Sequence, residues 1–483
     1  MHPAVILRIL GLLLMVYSST MLIPAMVALI YDDGGERQFF FAFAITLISG
    51  LLCWLPVQNR KQDLRVRDGF VVVVLFWTVL GCYGAIPFML GNEPHMDVAD
   101  AVFESLSGLT TTGATVISDI DNLPKSILFY RQQMQWLGGM GIIVLAVAIL
   151  PMLGIGGMQL YRAEAPGPVK DNKLTPRITE TAKALWYIYL SLTIACALAY
   201  WMCGMDLFDA ISHSFSTVAI GGFSTHNESI GYFDSAAIEL ITVFFMLLAG
   251  INFGLHFVAW RRRSISSYFT DPEFRFYITI LFSISVLVFF GLMIANDYDD
   301  PLLAARHALF ETVSIGTTTG YAVADFSAWH PMLATALIMG SFVGACAGST
   351  GGGIKAIRVF LMFKQGLREI RRLIHPNAVM IIKLSNKAVP DRVIEAVWGF
   401  FGIYLISFCV LFLAMLATGM DFITGFSAVA ACLNNLGPGI GDVAFHYGEI
   451  SDTAKWILCF AMLLGRLEIF TLLVLFTPMF WRH

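Results

Sequence analysis

The sequence predicts an all-α membrane protein with ten transmembrane helices, in which an N-terminal helix pair precedes four parallel helix/loop/helix repeats. Three observations predict this fold class: a low charged fraction, long apolar runs, and a motif that recurs four times. Hydrophobic residues make up 57% of the 483 residues and charged residues only 13%, whereas soluble proteins carry about 25% charged residues. The chain therefore has too little polar surface for a soluble globule.

Apolar runs long enough to cross a hydrocarbon core of roughly 30 Å, about 20 residues each, recur along the whole chain. The first run does not resemble a signal peptide, because it is too long and no small-residue cleavage pattern follows it. We therefore expect the N-terminus to stay attached. The ten runs are residues 6–30, 38–56, 69–91, 126–156, 183–204, 236–260, 275–296, 331–366 with a break, 393–418 and 454–481.

Basic and acidic residues alternate between successive loops. The basic loops, cytoplasmic by the positive-inside rule, contain Arg60, Lys61, Arg65 and Arg67; Arg162, Lys170, Lys173, Arg177 and Lys183; Arg261, Arg262 and Arg263; and Lys364, Arg368, Arg371, Arg372, Lys383 and Lys387. The intervening acidic loops could concentrate cations at the outer face, although ordinary solvated surface explains them equally well. With ten crossings, both termini are expected in the cytoplasm.

A motif repeats at roughly 100-residue spacing, and repeats decide the architecture. The four segments are DAVFESLSGLTTTG at 100–113, DAISHSFSTVAIGG at 209–222, HALFETVSIGTTTG at 307–320 and TGFSAVAACLNNLG at 424–437. Each is too short to cross a bilayer, and each ends on a glycine thirteen residues after its first residue. Two predicted crossings separate successive glycines, so all four return to one face and can surround one pore.

Non-helical backbone is tolerated at membrane depth only where protein buries it or where it lines a watery cavity. Rings of backbone carbonyls can replace the water shell of a potassium ion, and glycine permits the backbone angles that aim a carbonyl inward. A lone Thr-Thr-Thr-Gly is more often a turn, but four in register favour an ion filter. The expected carbonyl ligands are those of Thr111, Thr112, Gly113, Ile220, Gly221, Gly222, Thr318, Thr319, Gly320, Asn435, Leu436 and Gly437.

These motifs resemble the Trk/Ktr/HKT superfamily of potassium transporters, and specifically its bacterial Trk-type membrane subunits. The resemblance runs nearly end to end. The motifs that support it are TTTGAT at 110–115, IGGFSTH at 220–226, TTTGY at 317–321 and NNLGPG at 434–439, together with QWLGGMG at 135–141, AGSTGGG at 347–353 and GRLEIF at 465–470. The third motif departs from the Thr-Thr-Ala-Gly-Phe of relatives, which puts fine selectivity in question.

The resemblance implies potassium uptake across the bacterial inner membrane, with K⁺ as the transported ion and no organic cofactor. It also implies a homodimer with one pore per subunit and a separate cytoplasmic regulatory ring that binds nucleotides. Glycine at all four filter positions, Gly113 included, implies potassium selectivity. The corresponding domains are 1–68 for the helix pair, then repeats at 69–182, 183–274, 275–391 and 392–483.

A glycine-rich interruption at residues 344–353 predicts an unwound intramembrane loop, since glycines cannot maintain a straight helix. One step inward of the third filter, it would serve as a gate, and shortening it would raise flux without altering selectivity. Close packing of a neighbouring helix is the alternative. The gate residues expected from the sequence are Gly344, Gly348, Gly351, Gly352, Gly353 and Arg466.

Arg466 lies within the last apolar run, where a charge usually faces the protein interior or a watery cavity. Glu468 is two residues away and so points to another helix face. Arg466 is therefore expected to face the pore or the carbonyls of the glycine-rich loop. Lys355 is expected to be cytoplasmic and structural, and His213 and His226 are assigned no chemistry.

Two other functional classes remain open. A proton- or sodium-coupled secondary carrier would place its site on broken helices in inverted repeats, and a structural subunit would have no reason to keep four glycines in register. No Walker sequence, Ser-His-Asp set or HExxH motif occurs, so neither an enzyme nor a nucleic-acid partner is expected.

Overall fold

The described part of the chain is mostly helical. The computed structural model describes residues 1–59, 66–144, 178–385 and 387–482. Its helices are α1 (Pro3–Thr20), α2 (Leu22–Tyr31), α3 (Glu36–Trp54), α4 (Val66–Gly84), α5 (Ile86–Leu90), α6 (Val98–Leu109), α7 (Lys125–Val144), α8 (Ile178–Met202), α9 (Leu207–Ala219), α10 (Ala236–Ala249), α11 (Phe253–Arg262), α12 (Ser266–Thr270), α13 (Pro272–Ala295), α14 (Pro301–Gly316), α15 (Pro331–Val343), α16 (Ala356–Ile374), α17 (Asp391–Ala417), α18 (Phe422–Asn434), α19 (Asp452–Arg466), α20 (Phe470–Leu473) and α21 (Pro478–Trp481). Two short antiparallel strands, β1 (Lys383–Leu384) and β2 (Lys387–Ala388), complete it.

Six helical stretches in the described ranges are long and apolar enough to cross a membrane, and two bent pairs raise the count to eight. The six are Pro3–Tyr31, Glu36–Val57, Arg67–Leu90, Ala182–Met202, Pro272–Ala295 and Asp391–Ala417. Length and apolarity thus show a helical membrane protein, while the count of ten stays a prediction. Part of the run at 126–156 and the basic residues Arg60, Lys61, Arg65, Arg162, Lys170, Lys173 and Arg177 lie outside the described residues.

Two of the predicted runs are bent rather than straight. Helices α10 and α11 meet at 93°, and Asp452–Arg466 meets Phe470–Phe476 at 108°. The side chain of Asn252 caps the second helix of the first pair by accepting a hydrogen bond of 2.7 Å from the Gly254 amide, which satisfies a backbone group that the bend frees. The predicted break in the run 331–366 is present between Val343 and Ala356.

Four short helices, α6, α9, α14 and α18, end beside the four repeated glycines, and we call them repeat helices 1 to 4. Aspartates cap three of them: the carboxylates of Asp206, Asp300 and Asp421 accept hydrogen bonds from backbone amides of the first turn. Each helix ends at or just before a non-glycine residue in the left-handed conformation, where the helical hydrogen bonds cannot continue. Those residues are Thr111, Ile220, Thr318 and Asn435.

The repeat helices form the buried centre, and the long helices face outward. In repeat helix 1 every residue from Ala101 to Leu109 is buried, whereas only 17% of the most apolar window of Pro272–Ala295 is buried. The outward apolar faces suit contact with lipid. At the N-terminus, α1 and α3 approach closely at Gly11 and Gly50, where a Cβ on Gly11 would lie 2.7 Å from the Gly50 carbonyl oxygen.

Candidate functional site

The four predicted filter segments share one backbone conformation. In each segment the residue two positions before the glycine and the glycine itself have positive φ, which side chains other than glycine rarely adopt. The values are 52° and 83° for Thr111 and Gly113, 55° and 80° for Ile220 and Gly222, 68° and 84° for Thr318 and Gly320, and 54° and 98° for Asn435 and Gly437. We call these triplets filter segments 1 to 4.

Each of the four glycines packs against a backbone carbonyl of the next segment. A Cβ placed on Gly113 would fall within 3.0 Å of the Gly221 carbonyl oxygen, a separation that real Cβ atoms essentially never show. The same relation connects the other three pairs: Gly222 with the carbonyl of Thr319, Gly320 with that of Leu436, and Gly437 with that of Thr112. The contacts run from segment 1 through 2, 3 and 4 and back to 1, so the segments form a closed ring.

The backbone amides of the ring are satisfied from within each repeat. The amide preceding each glycine donates to the carbonyl five residues earlier, from Thr112 to Ser107, Gly221 to Ser216, Thr319 to Ser314 and Leu436 to Ala431, over 2.8–2.9 Å. The amide of the first residue of each segment also donates within its own repeat, over 3.0–3.3 Å. With these two donors per segment occupied, carbonyl oxygens of the segments remain available to a ligand. Carbonyl oxygens are the ligands expected for a dehydrated potassium ion.

Two of the expected carbonyl ligands also accept hydrogen bonds from side chains. Gln135 donates to the Gly221 carbonyl at 2.6 Å, and the Tyr447 hydroxyl donates to the Gly437 carbonyl at 2.7 Å. A carbonyl has two lone pairs, so each keeps one for another partner. These donors fix the direction of the two carbonyls.

Side chains of the repeat helices brace the chain that follows each glycine. Glu104 accepts from the Val116 amide at 3.0 Å and Glu311 from the Val323 amide at 2.8 Å. His213 occupies the same register in repeat helix 2 and bonds Ser224 at 2.9 Å. Both glutamates stand at the same position of their repeat segments, 100–113 and 307–320, but the sequence analysis assigned them no role.

Arg131 connects repeat helix 1 to the chain that follows filter segment 2. Its Nε lies 2.8 Å from Glu104, its Nη1 donates to the Ser224 carbonyl at 3.1 Å, and the guanidinium lies 4.2 Å from the centroid of Phe223. The buried charge of Arg131 is therefore paired with a carboxylate and hydrogen-bonded, which offsets the cost of burying it. Arg131 was missed because a charge in an apolar run does not reveal its partner.

The glycine-rich loop lies directly against the repeat helices. The Thr350 hydroxyl donates to the Val218 carbonyl at 3.0 Å, and the Gly353 amide donates to the Asn434 carbonyl at 3.1 Å. A Cβ on Gly351 would lie 2.8 Å from the Thr317 carbonyl oxygen, and one on Gly352 would collide with that of Asn434. Residues 350–353 thus contact the ends of repeat helices 2, 3 and 4.

The other two predicted gate glycines lie farther from the filter segments. Gly344 has a φ of 67° and packs against Gly352 and Gly353, which closes the loop on itself. Gly348, with a φ of 70°, faces the Asn252 side chain, and its carbonyl accepts from the Phe253 amide at 3.0 Å. These two positions shape the loop, while 351–353 contact the ring.

Arg466 is buried, with 6% of its surface exposed, and its Nη1 donates to the Thr350 carbonyl at 3.1 Å. It therefore faces a loop carbonyl, one of the two orientations expected from the sequence. Its Nε and Nη2 have no hydrogen-bond partner in the described ranges. Glu468 instead pairs with Arg358 at 2.6 Å.

Lys355 contacts the same loop, because its amine donates to the Gly351 carbonyl. Adjacent carbonyls of the loop, those of Thr350 and Gly351, thus each hold a cationic side chain. The sequence assigned Lys355 only a structural place after the glycines. The available signal was its place only four residues after Gly351 in the sequence, which is within reach of a long side chain that folds back.

His226 contacts two acidic residues beside filter segment 2. Its ring nitrogens lie 3.0 Å from Asp121 and 3.2 Å from Asp209, and its ring stacks on Tyr232. Burial alone would lower the pKa of His226, but the hydrogen bonds to Asp209 and Asp121 outweigh it and raise the pKa. Burial likewise opposes the charge on Asp209, yet hydrogen bonds from His226 and Thr225 lower its pKa to about 2.

These shifts predict a pH-dependent stability. A raised histidine pKa stabilises the fold below its unfolded value of about 6.5, and this contribution is lost as pH rises through the folded pKa. The lowered pKa of Asp209 adds stability above about 4 that is lost toward pH 2. Between pH 6 and pH 8, the unfolding temperature of the wild type should therefore fall by about 1–2 °C more than that of His226→Gln. His375→Gln, at an exposed histidine, serves as control, and equal pH slopes in all three proteins would contradict the assignment.

The comparisons with known proteins show the family of the chain. The family model described as "TrkH: Cation transport protein" matches residues 35–483. The chain is 59% identical to the Trk system potassium uptake protein TrkH of Vibrio parahaemolyticus over 99% of both chains, and 56% identical to the TrkH of Escherichia coli K12 over the full length of both. The chain belongs to the TrkH family of cation transport proteins.

The crystal structure of the potassium transporter TrkH from Vibrio parahaemolyticus is similar to this structure over 100% of both chains, with a TM-score of 0.93 and 56% identity in the structural comparison. The TrkH family match covers all four filter segments, the glycine-rich loop and Arg466. The chain is therefore a helical membrane protein of a transporter family.

Proposed function

We propose that this protein takes up potassium ions across the bacterial inner membrane through one filter formed by filter segments 1 to 4. The observation that carries the proposal is the closed ring, in which each of the four glycines packs against a carbonyl of the next segment. The relatives named as potassium uptake proteins support potassium as the transported ion. Glycine at all four positions favours selectivity for potassium over sodium.

In this mechanism the backbone carbonyls of the ring replace the hydration shell of the ion. The expected ligands are the carbonyls of Thr111 to Gly113, Ile220 to Gly222, Thr318 to Gly320 and Asn435 to Gly437. The four repeat helices end beside these residues, and the negative ends of their dipoles favour a cation there. Gln135 and Tyr447 hold two carbonyls in fixed directions, which limits how far the ring can contract around a smaller ion.

The loop 344–353 acts as the gate in this proposal, with Arg466 as part of it. Support comes from its contacts with the ends of three repeat helices and from the two cationic side chains on its carbonyls. A loop in that place blocks passage on the inner side of the ring unless it moves. Close packing alone would require neither cation.

The remaining architecture is part of the same proposal. Ten crossings divide into a helix pair at 1–68 and repeats at 69–182, 183–274, 275–391 and 392–483, with both termini in the cytoplasm. The protein assembles as a homodimer, and a cytoplasmic nucleotide-binding ring regulates it. The names of the relatives, which place them in a Trk system, support a regulatory partner.

A proton- or sodium-coupled carrier is the competing function, and one measurement separates it from passive conduction. The purified protein would be reconstituted in liposomes with imposed potassium and pH gradients. We expect rubidium tracer uptake to follow the potassium gradient and to be insensitive to an opposed pH or sodium gradient. Uptake that stops when the pH or sodium gradient is removed would establish coupling, and no uptake above protein-free liposomes would overturn the proposed function.

A further inference from the structure

A backbone amide of the glycine-rich loop donates one hydrogen bond to a side chain of a filter segment. The Gly352 amide donates to Thr318 Oγ1 at 2.7 Å. Thr318 lies two residues before Gly320 and has a φ of 68°, an unusual angle for a β-branched residue. The bond therefore joins the loop to the strained position of filter segment 3.

The equivalent positions in the other three segments lack this bond. Thr111 Oγ1 is buried and has no hydrogen-bond partner in the described ranges, and the side chain of Ile220 has no polar atom. Asn435 donates instead to Thr112 Oγ1 at 2.9 Å and to the Met462 carbonyl at 3.0 Å. In the described part of the chain, only segment 3 offers a side-chain acceptor to the loop.

Two contacts hold the conformation of Thr318. Its amide donates to the Ile315 carbonyl at 3.0 Å, and its hydroxyl accepts from the loop. A strained backbone angle persists only where the surroundings over-determine it. If the loop moves away, one of the two contacts is lost, while the buried Gly352 amide also loses its acceptor.

We propose that Thr318 couples the loop to the filter, so that ion selectivity depends on the position of the loop. Thr318 is thus a positioning residue, and the inference rests on the proposed function of the ring as a filter and of the loop as a gate. It departs from the expectation drawn from the sequence, in which shortening the loop raises flux and leaves selectivity unchanged. Here a loop that opens also relaxes filter segment 3.

The test uses two matched substitutions, Thr318→Val and Thr111→Val. Both replace a threonine hydroxyl by a methyl group of similar size at the same register of two filter segments. Only Thr318→Val removes the acceptor of the loop. Potassium flux and the potassium-to-sodium permeability ratio, from the reversal potential in mixed salt, would be measured in proteoliposomes.

We expect Thr318→Val to raise flux and to lower the permeability ratio by about five- to tenfold more than Thr111→Val does, as expected for loss of one buried hydrogen bond. Thr318→Ser, which keeps the hydroxyl, should restore most of the difference. If Thr318→Val cannot be purified as a monodisperse protein, Thr318→Cys, with a weaker acceptor, should shift both quantities in the same direction.

A second arm places Thr318→Val in a protein whose loop has been shortened by deleting residues 351–353. The bond is already absent there, so the substitution should add no more than Thr111→Val adds in the same background. Equal effects of the two valine substitutions in the full-length loop, or an undiminished effect of Thr318→Val after the deletion, would overturn the coupling. Absence of potassium flux in the wild type would instead count against the proposed function itself.

Discussion

Replacing Gly113 with serine is expected to reduce the preference for potassium over sodium by about tenfold or more. The new Cβ would fall within 3.0 Å of the Gly221 carbonyl oxygen, which belongs to the backbone and cannot rotate away. The φ of 83° adds strain, on the order of 1–2 kcal/mol for a residue other than glycine. A tenfold loss of preference corresponds to about 1.4 kcal/mol between potassium and sodium binding. We expect the displacement of one ring carbonyl to be enough for a difference of this size.

The reversal potential in mixed potassium and sodium salt measures this effect, with competitive rubidium uptake as a second readout. Gly34→Ser is a matched control: Gly34 has a similar φ of 75°, but no atom lies within 4 Å of a Cβ built there. The control therefore carries the backbone strain without the collision. If the permeability ratio is unchanged in Gly113→Ser, or changes equally in Gly34→Ser, the assignment of Gly113 to the filter is wrong.

The shared backbone conformation of the four repeat segments could be predicted from the sequence because each segment is a local pattern. A helix-forming segment ends on small residues and a glycine, and the positive φ of Gly113 and its three counterparts follows from that pattern. The even number of predicted crossings between glycines then placed all four on one face. The order of the ring, with each glycine against the next carbonyl, is a tertiary property that no local pattern contains.

The bends and the side-chain contacts could not be predicted from the sequence. The mean hydropathy of a run is the same whether its helix is straight or bent by 93°. The runs at 236–260 and 454–481 were therefore predicted as single crossings. The contacts of Glu104 with Arg131 and of Gln135 with Gly221 join residues 27 and 86 positions apart. A polar residue in an apolar run indicates that a partner exists, because burial without one is costly, but it does not name the partner.

The expected cost of burying a charge limited the predicted surroundings of Arg466 to two alternatives. The alternatives were the pore and the carbonyls of the loop, and its Nη1 donates to Thr350. The structure adds what the sequence lacked, namely that the neighbouring Gly351 carbonyl holds Lys355. In the proposed gate, these two positive charges on adjacent loop carbonyls would together repel a passing cation.

Neutralising Arg466 is expected to raise potassium uptake at a fixed driving force. Described carboxylates form no ion pair with Arg466, so in the proposed gate its charge is not neutralised by a carboxylate. At roughly 6 Å and an effective dielectric constant near 20, the repulsion is on the order of 3 kcal/mol, which slows permeation about a hundredfold. Arg466→Ala and Arg466→Gln should both approach that increase, because both remove the charge and only the second nearly keeps the size.

Arg466→Lys separates the charge from the hydrogen bond to the loop. Lysine keeps the positive charge but lacks the planar guanidinium that reaches the Thr350 carbonyl. A charge barrier predicts that uptake by Arg466→Lys stays close to wild type, while uptake by Arg466→Gln rises. If lysine instead speeds uptake as much as glutamine does, the hydrogen bond to Thr350 restrains the loop and the charge itself is not the barrier. If the alanine and glutamine variants fold in detergent yet transport no faster than wild type, Arg466 stabilises the loop without limiting conduction.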